Sequence, residues 1–137
     1  LGLARALAGR GGALDDLLVR LCRELYVLMA ELATLVENRS KLKAGTTLVT
    51  EAMVVDLETL IDDVGARFEA PTEFVVPGQN LVAAQLDVAR TVVRRAERLA
   101  LRAAAPGSHV VPYLNRLSDL CWTLARWQEG DALAARG

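Results

Sequence analysis

The sequence predicts an all-α protein, and three observations support that prediction. Hydrophobic residues make up 53% of the 137 residues, which is enough for the core of one domain. They recur at spacings of three and four, as in amphipathic helices. Aromatic residues make up only 4%, and no segment of useful length alternates with the period of a strand. We therefore expect residues 1–137 to form a single helical bundle with a core of Leu, Val and Ala.

The first two helices are predicted from a glycine-rich stop and a run of leucines. Residues 1–8 form the first helix, which ends at "GRGG". In the second, seven leucines alternate between spacings of four and three: Leu14, Leu18, Leu21, Leu25, Leu28, Leu32 and Leu35. This heptad pattern is typical of a long bundle helix. We expect the helix to end near "ENRS" at 37–40.

A polar loop over residues 39–49 should lead into the third helix. Thr50 is a suitable N-cap, and Glu51 places an acidic side chain in the first turn. The hydrophobic spacing continues as far as Phe68. Proline residues then interrupt the chain, and the "EFVV" between them, residues 73–76, is predicted to be short and extended.

The fourth and fifth helices are predicted over about 79–103 and from about 110 onward, where Pro112 suits a first turn. Their apolar seams are Val82, Leu86, Ala89, Val93, Ala96 and Ala100 in the fourth, and Val110, Leu114, Leu117, Cys121 and Leu124 in the fifth. Three alanines in the fourth seam should let a neighbouring helix approach closely.

Charge and composition exclude several classes of function. The 16 basic and 17 acidic residues nearly cancel, so no overall field favours nucleic acid or an anionic membrane. Neither a membrane-spanning run nor a signal peptide is visible, which predicts a cytoplasmic protein. Cys22 and Cys121 are expected to be reduced, buried thiols. With a single histidine and no Cys/His cluster, we expect no metal site made by the protein.

The segment "ARTVVRRAER", residues 89–98, holds four arginines. Arg90, Arg94 and Glu97 follow helical spacings of four and three, on a stripe about 100° from the apolar seam. Arg95, Arg98 and Arg102 form a second stripe. Two interpretations remain open for these charges. They form a solvated face, or they bind an anion such as phosphate, which suits the planar arginine fork.

Polar residues also border the seam of the fifth helix, where Asn115, Asp119 and Trp122 share one stripe. Asn and Asp are poor helix formers, so we expect compensating interactions. One interpretation is a structural network in which Asp119 pairs with an arginine, and the other is a polar ligand cleft beside the fourth helix. Phe74, on the extended segment, either covers the core or forms a ligand wall.

Three motifs together resemble a known family. They are F-x-x-P-G at 74–78, A-R-T-x-x-R-R-x-E-R at 89–98 and Y-L-N-R-L-S-D at 113–119. In this order they resemble the PduO-type ATP:cob(I)alamin adenosyltransferases, and the similarity runs from "LGLARAL" to "LARW". The resemblance implies an up-and-down five-helix bundle that assembles as a homotrimer with sites between subunits. It also implies transfer of the 5′-deoxyadenosyl group of ATP to the cobalt of cob(I)alamin, with Mg²⁺ held mainly by ATP.

Roles for individual residues follow from motif position. The resemblance implies that Phe74 and Arg94 are catalytic, with Phe74 against the lower face of the corrin. It implies an intersubunit salt bridge for Arg90, and Asp119 as a second supporting residue. The ATP-binding set would be Arg94, Glu97, Arg98 and Asn115, and the corrinoid-binding pair would be Phe74 and Trp122. A reductase and an adenosylcobalamin-dependent mutase are the expected protein partners.

The sequence also departs from the family pattern. The family's phosphate-binding segment, T-x-T-G-D-x-G-x-T in form, is absent, as is an aspartate that would pair with Arg90. Because the chain begins at Leu1 without Met, we expect the native N-terminal segment to be missing. Gln79, Asn80, Asp87 and Trp122 replace residues more usual at their positions. The alternatives are a non-catalytic corrinoid- or ATP-binding delivery protein on the same bundle, and a helical interaction module with surface arginines.

Overall fold

A computed structural model describes residues 1–136, and in that part of the chain the fold is helical. The α-helices are α1 (Gly2–Ala8), α2 (Ala13–Ala33), α3 (Glu51–Gly65), α4 (Leu81–Ala100) and α5 (Val110–Glu129), and a 3₁₀ helix covers Val36–Lys41. Extended pairing within residues 1–136 is limited to isolated bridges. The predicted all-α, five-helix fold is therefore confirmed.

Helix α5 is the centre of the bundle. It packs against α3 and α4, and α1 packs against α2 and α4. The predicted seam of α5 is buried along its whole length, and in α4 Leu86, Ala89, Val93 and Ala100 are buried. Burial of the Cys121 thiol raises its pKa to about 12, so this thiol stays protonated at neutral pH. Both cysteines are free, but only Cys121 is buried as predicted, because Cys22 is half-buried.

Side-chain caps determine where α3 and α4 begin. The Thr50 hydroxyl accepts the Met53 N–H at 3.3 Å, which confirms the predicted N-cap. Asn80 Oδ1 accepts the Ala83 N–H at 2.9 Å, so α4 begins at Leu81 rather than 79. The prediction that α3 reaches Phe68 was wrong, because the helix ends at Gly65 and Phe68 packs on the core from beyond it.

The predicted end of α2 was also wrong. The helix stops at Ala33, where the Thr34 hydroxyl donates to the Ala30 carbonyl at 2.8 Å. Leu35, the last leucine of the heptad pattern, is 65% exposed. The chain then turns into the 3₁₀ helix, so part of the predicted loop over 39–49 is helical.

A buried carboxylate joins two loops at one end of the bundle. Glu31 is only 1% exposed. Its carboxylate accepts the Val49 N–H at 2.8 Å and the Ser108 hydroxyl at 2.5 Å. These bonds hold the segment before α3 and the turn before α5 against α2.

Candidate active site

A cavity of about 770 Å³ opens between α4, α5, the segment 71–77 and the C-terminal residues 135–136. Its lining includes two aromatic side chains, Phe74 and Trp122, and five charged ones, Glu73, Asp87, Arg90, Arg126 and Arg136. Apolar walls with a few converging polar groups are typical of small-molecule sites, and so is this volume.

Phe74 reaches the cavity from a segment that is held by backbone pairing. Its carbonyl accepts the Ala135 N–H at 2.7 Å, and the Val76 N–H donates to the Leu133 carbonyl at 2.8 Å. The intervening Val75 forms an antiparallel bridge with Ala134, so the predicted extended conformation is confirmed. The Phe74 side chain is 87% exposed. It does not cover the core, and an aromatic ring in this position is available to a ligand.

Trp122 lies on the α5 side of the cavity and is half-buried. One turn further along α5, the Arg126 guanidinium carbon lies 5.9 Å from the centroid of the indole ring. A cation and an aromatic ring attract each other when the cation lies over the ring face at this distance. The Trp122 indole is therefore in contact with the charged guanidinium of Arg126.

Arg126 belongs to a buried ionic cluster that the sequence analysis missed. Its side chain is 3% exposed, and Nη2 lies 2.7 Å from Asp87 Oδ2 while Nε lies 2.9 Å from Glu129 Oε2. Burial raises the pKa of the Glu129 carboxyl, and the positive charge of Arg126 opposes that rise. Asp87 was recognised only as a departure from the family pattern. Its pairing with α5 depends on how α4 and α5 pack, although the spacing of Trp122 and Arg126 on one helical stripe was a usable signal.

A second group of polar side chains lies where α4 and α5 run side by side. Asn115 Nδ2 donates to Glu97 Oε1 at 2.9 Å, and Arg116 donates to Asn115 Oδ1. Arg116 also pairs with Asp119 at 2.9 Å within α5. Asp119 thus has an arginine partner, as the structural interpretation required, but from its own helix.

The predicted arginines differ in their surroundings. Arg90 is half-buried and lines the cavity, whereas Arg94 and Arg98 are exposed. In the part of the chain that the structure describes, none of the three forms an ion pair. Arg90, Arg94 and Glu97 follow one face of α4, and the seven steps from Arg90 to Glu97 rise about 10 Å along the helix. The structure therefore places Phe74, Arg90 and Trp122 at the cavity, and Glu97 with Asn115 further along the same pair of helices.

The described residues show neither a metal site formed by side chains nor a membrane-spanning helix. Residues 1–136 contain no group of three or more His, Cys, Asp or Glu side chains arranged to hold a metal ion. None of the helices in this range combines the length and the apolar character needed to cross a membrane.

The fold and the cavity define a helical-bundle protein with a small-molecule site between two helices. Comparison with known proteins makes this more specific, because the family model for cobalamin adenosyltransferase matches residues 1–128. The chain belongs to the cobalamin adenosyltransferase family, and the family predicted from its motifs is confirmed.

Curated relatives and solved structures agree with that assignment. A corrinoid adenosyltransferase of Mycobacterium tuberculosis is 38% identical over 97% of this chain and 72% of its own length. One from Citrobacter freundii is 41% identical over 77% of this chain, which spans 60% of that relative. A variant PduO-type ATP:corrinoid adenosyltransferase from Lactobacillus reuteri, complexed with cobalamin and ATP, superposes with a TM-score of 0.83. It is 26% identical, and the match covers 99% of this chain and 78% of that one.

Proposed function

We propose that this protein transfers the 5′-deoxyadenosyl group of ATP to the cobalt of cob(I)alamin and releases triphosphate. The observation that carries the proposal is an aromatic-walled cavity at one end of an arginine stripe, in a chain of this family. A corrinoid is flat and largely apolar on its faces, and ATP is highly charged, so two adjoining sites of opposite character match the two substrates.

The corrinoid would bind in the cavity with one face against Phe74. The exposed ring is suited to exclude water and the lower axial ligand from the cobalt. Without that ligand, cobalt is more easily reduced to Co(I), which is the nucleophile. Trp122 would form the second wall. The cofactor-like substrate supplies the reactivity, and the protein supplies position and electrostatics.

ATP would bind along the exposed arginines of α4. Arg94 and Arg98 are exposed and without ion-pair partners within residues 1–136, so their guanidinium groups are available to the phosphates. Glu97 and Asn115 already contact each other at 2.9 Å, which orients carboxylate and amide groups suited to ribose and base. The carboxylates at this end of the helices are engaged with Asn115 and Arg116, and we propose that Mg²⁺ binds mainly through ATP.

The reaction would then be a direct displacement. The electron pair of Co(I) forms the cobalt–carbon bond while the bond from C5′ to the triphosphate oxygen breaks, and its electron pair leaves with triphosphate. Arginines that neutralise this developing charge lower the barrier. Arg94 is the proposed catalytic arginine for that reason.

We also propose a homotrimer with sites between subunits. Val88, Val92 and Leu99 on the outer side of α4 are 51%, 46% and 62% exposed, and these apolar side chains would be covered by a neighbouring subunit. Arg90 is half-buried without an ion-pair partner in residues 1–136, which fits a partner from another subunit. A supporting role for Asp119, a phosphate-binding segment before Leu1, a cytoplasmic location, and a reductase and a mutase as partners stay predictions.

The test compares two adjacent arginines of α4. Arg94→Ala should lower the affinity for ATP and the rate of conversion of cob(I)alamin about 30-fold or more, since a charge-assisted bond to phosphate is worth roughly 2 kcal/mol. Arg95→Ala is the matched control, because Arg95 is also exposed, lies about 100° around α4 from Arg94 and is not among the proposed ATP-binding residues. Conversion is followed by loss of the cob(I)alamin absorbance.

Equal effects of the two substitutions would contradict the proposed ATP site. Tight binding of corrinoid or ATP without any conversion in the unsubstituted protein would instead indicate a binding or delivery protein. Neither binding nor conversion would leave the arginines as a solvated surface.

A further inference from the structure

The buried cluster of Asp87, Arg126 and Glu129, here called the ionic cluster, is unusual in its composition. One guanidinium lies between two carboxylates at 2.7 and 2.9 Å, and the side chains of Arg126 and Glu129 are 3% and 1% exposed. Removing charges from water is unfavourable unless their geometry compensates. Packing of the hydrophobic core does not explain why these three charged side chains lie together at this position.

The ionic cluster lies beside Trp122 at the cavity. Arg126 and Asp87 both line the cavity, as does Trp122. Arg126 follows Trp122 by four residues on α5, so their side chains lie on one face of the helix, with the guanidinium 5.9 Å from the ring centroid. The other charged group of α4 at this surface is Arg90. The orientation of the indole is therefore coupled to that of the guanidinium.

We propose that Arg126 is a positioning residue, which Asp87 and Glu129 hold in place so that its guanidinium fixes the Trp122 indole as a wall of the corrin site. The proposal rests on the proposed function for the identity of the ligand. Tryptophan has a wider side chain than any other apolar residue, so a small rotation of the Trp122 indole would change the width of the cavity. A flat, rigid ligand is sensitive to that width.

The geometry requires an arginine rather than a cation of any kind. The guanidinium donates from Nη2 to Asp87 Oδ2 at 2.7 Å and to Glu129 Oε1 at 3.1 Å. Its Nε lies 2.9 Å from Glu129 Oε2, so one edge of the planar group faces the Glu129 carboxylate. A lysine ammonium is a compact point charge on a flexible stem and lacks this planar fork. Arg126→Lys therefore keeps the charge but releases the plane that lies over the indole.

The experiment isolates Trp122 as a fluorescent reporter. The chain has two tryptophans, and Trp127→Phe leaves Trp122 as the only indole. In this background, Arg126→Lys should increase quenching of Trp122 by acrylamide about twofold and raise the KM for cob(I)alamin about fivefold, while the KM for ATP stays within about twofold. Asp87→Asn removes one carboxylate charge with little change of shape. It should also increase the quenching of Trp122 and raise the KM for cob(I)alamin.

Two controls separate positioning from loss of structure. Arg23→Lys, in the same background, changes an exposed arginine of α2 outside the cavity lining and should alter neither quenching nor KM. Thermal unfolding followed by circular dichroism identifies any variant that fails to fold, and Asp87→Asn then supplies the comparison, since Asp87 is the least buried member of the ionic cluster.

Unchanged quenching in both Arg126→Lys and Asp87→Asn would overturn the proposal, as would equal increases in the two KM values. If the unsubstituted protein shows no conversion, the proposed function fails. Quenching, together with the affinity for cob(II)alamin measured by calorimetry, would still decide whether Arg126 positions Trp122.

Discussion

Replacing Phe74 with alanine should impair corrinoid use without weakening the fold. The side chain is 87% exposed, so few core contacts are lost, and the free energy of unfolding should change by less than about 0.5 kcal/mol. A phenylalanine side chain offers roughly 200 Å² of surface, of which roughly 170 Å² is therefore available to a ligand.

The size of the effect follows from the area that a flat ligand would cover. Contact with one face of the ring buries about half of the available surface, and at about 25 cal/mol per Å² this contributes about 2 kcal/mol. The KM for cob(I)alamin should then rise ~30-fold. The KM for ATP should change little, because the proposed ATP residues lie further along α4.

The assay follows conversion of cob(I)alamin at varied concentrations of each substrate, with unfolding in urea measured in parallel. Tyr26→Ala is the matched control, since this aromatic side chain on α2 is 71% exposed and does not line the cavity. A KM for cob(I)alamin within twofold of the unsubstituted value in Phe74→Ala would show that Phe74 does not contact the corrinoid. An equal rise in Tyr26→Ala would also contradict a specific contact at Phe74.

Two further predictions concern the stability of the bundle. Glu31→Ala leaves the Val49 N–H and the Ser108 hydroxyl without their buried acceptor, and the free energy of unfolding in urea should fall by about 3 kcal/mol; a loss no larger than that of the exposed Glu37→Ala would contradict this. The pKa of Asp15 lies below its ordinary value of 3.8, because the Gly11 N–H and then the Arg5 side chain donate to the carboxylate. Its contribution is present above pH 3.8 and is lost as the pH falls through the lower folded pKa. Asp15→Asn should therefore lower the midpoint of thermal unfolding at pH 7, and the difference from wild type should narrow below that range.

The regular parts of the fold were predictable because their cause is local. The seams of α4 and α5 follow from helical spacing, and Thr50 and the glycines after Ala8 act on their immediate neighbours. The end of α2 was not predictable from spacing alone. Leu35 continues the heptad pattern, but the bond from Thr34 to the Ala30 carbonyl and the buried bonds of Glu31 to distant loops turn the chain earlier.

The candidate site was predictable only in part, for a related reason. The family resemblance predicted Phe74 and Trp122 as corrinoid-binding residues, and the structure brings both to one cavity. The ionic cluster joins Asp87 to Arg126, and their contact depends on the packing of two helices. Charged residues at such spacing usually lie on a solvated surface, so the shared stripe of Trp122 and Arg126 did not by itself predict that Arg126 is buried.

Adenosyl transfer to cobalt should release triphosphate in a single displacement. The most direct measurement is of both products from one reaction, in which the protein is mixed with ATP, Mg²⁺ and chemically reduced cobalamin in the dark. We expect a light-sensitive alkylcorrinoid spectrum and an equal amount of triphosphate. Conversion of ATP to diphosphate and phosphate would contradict a single displacement that releases triphosphate. So would the absence of a light-sensitive product despite bound corrinoid and ATP.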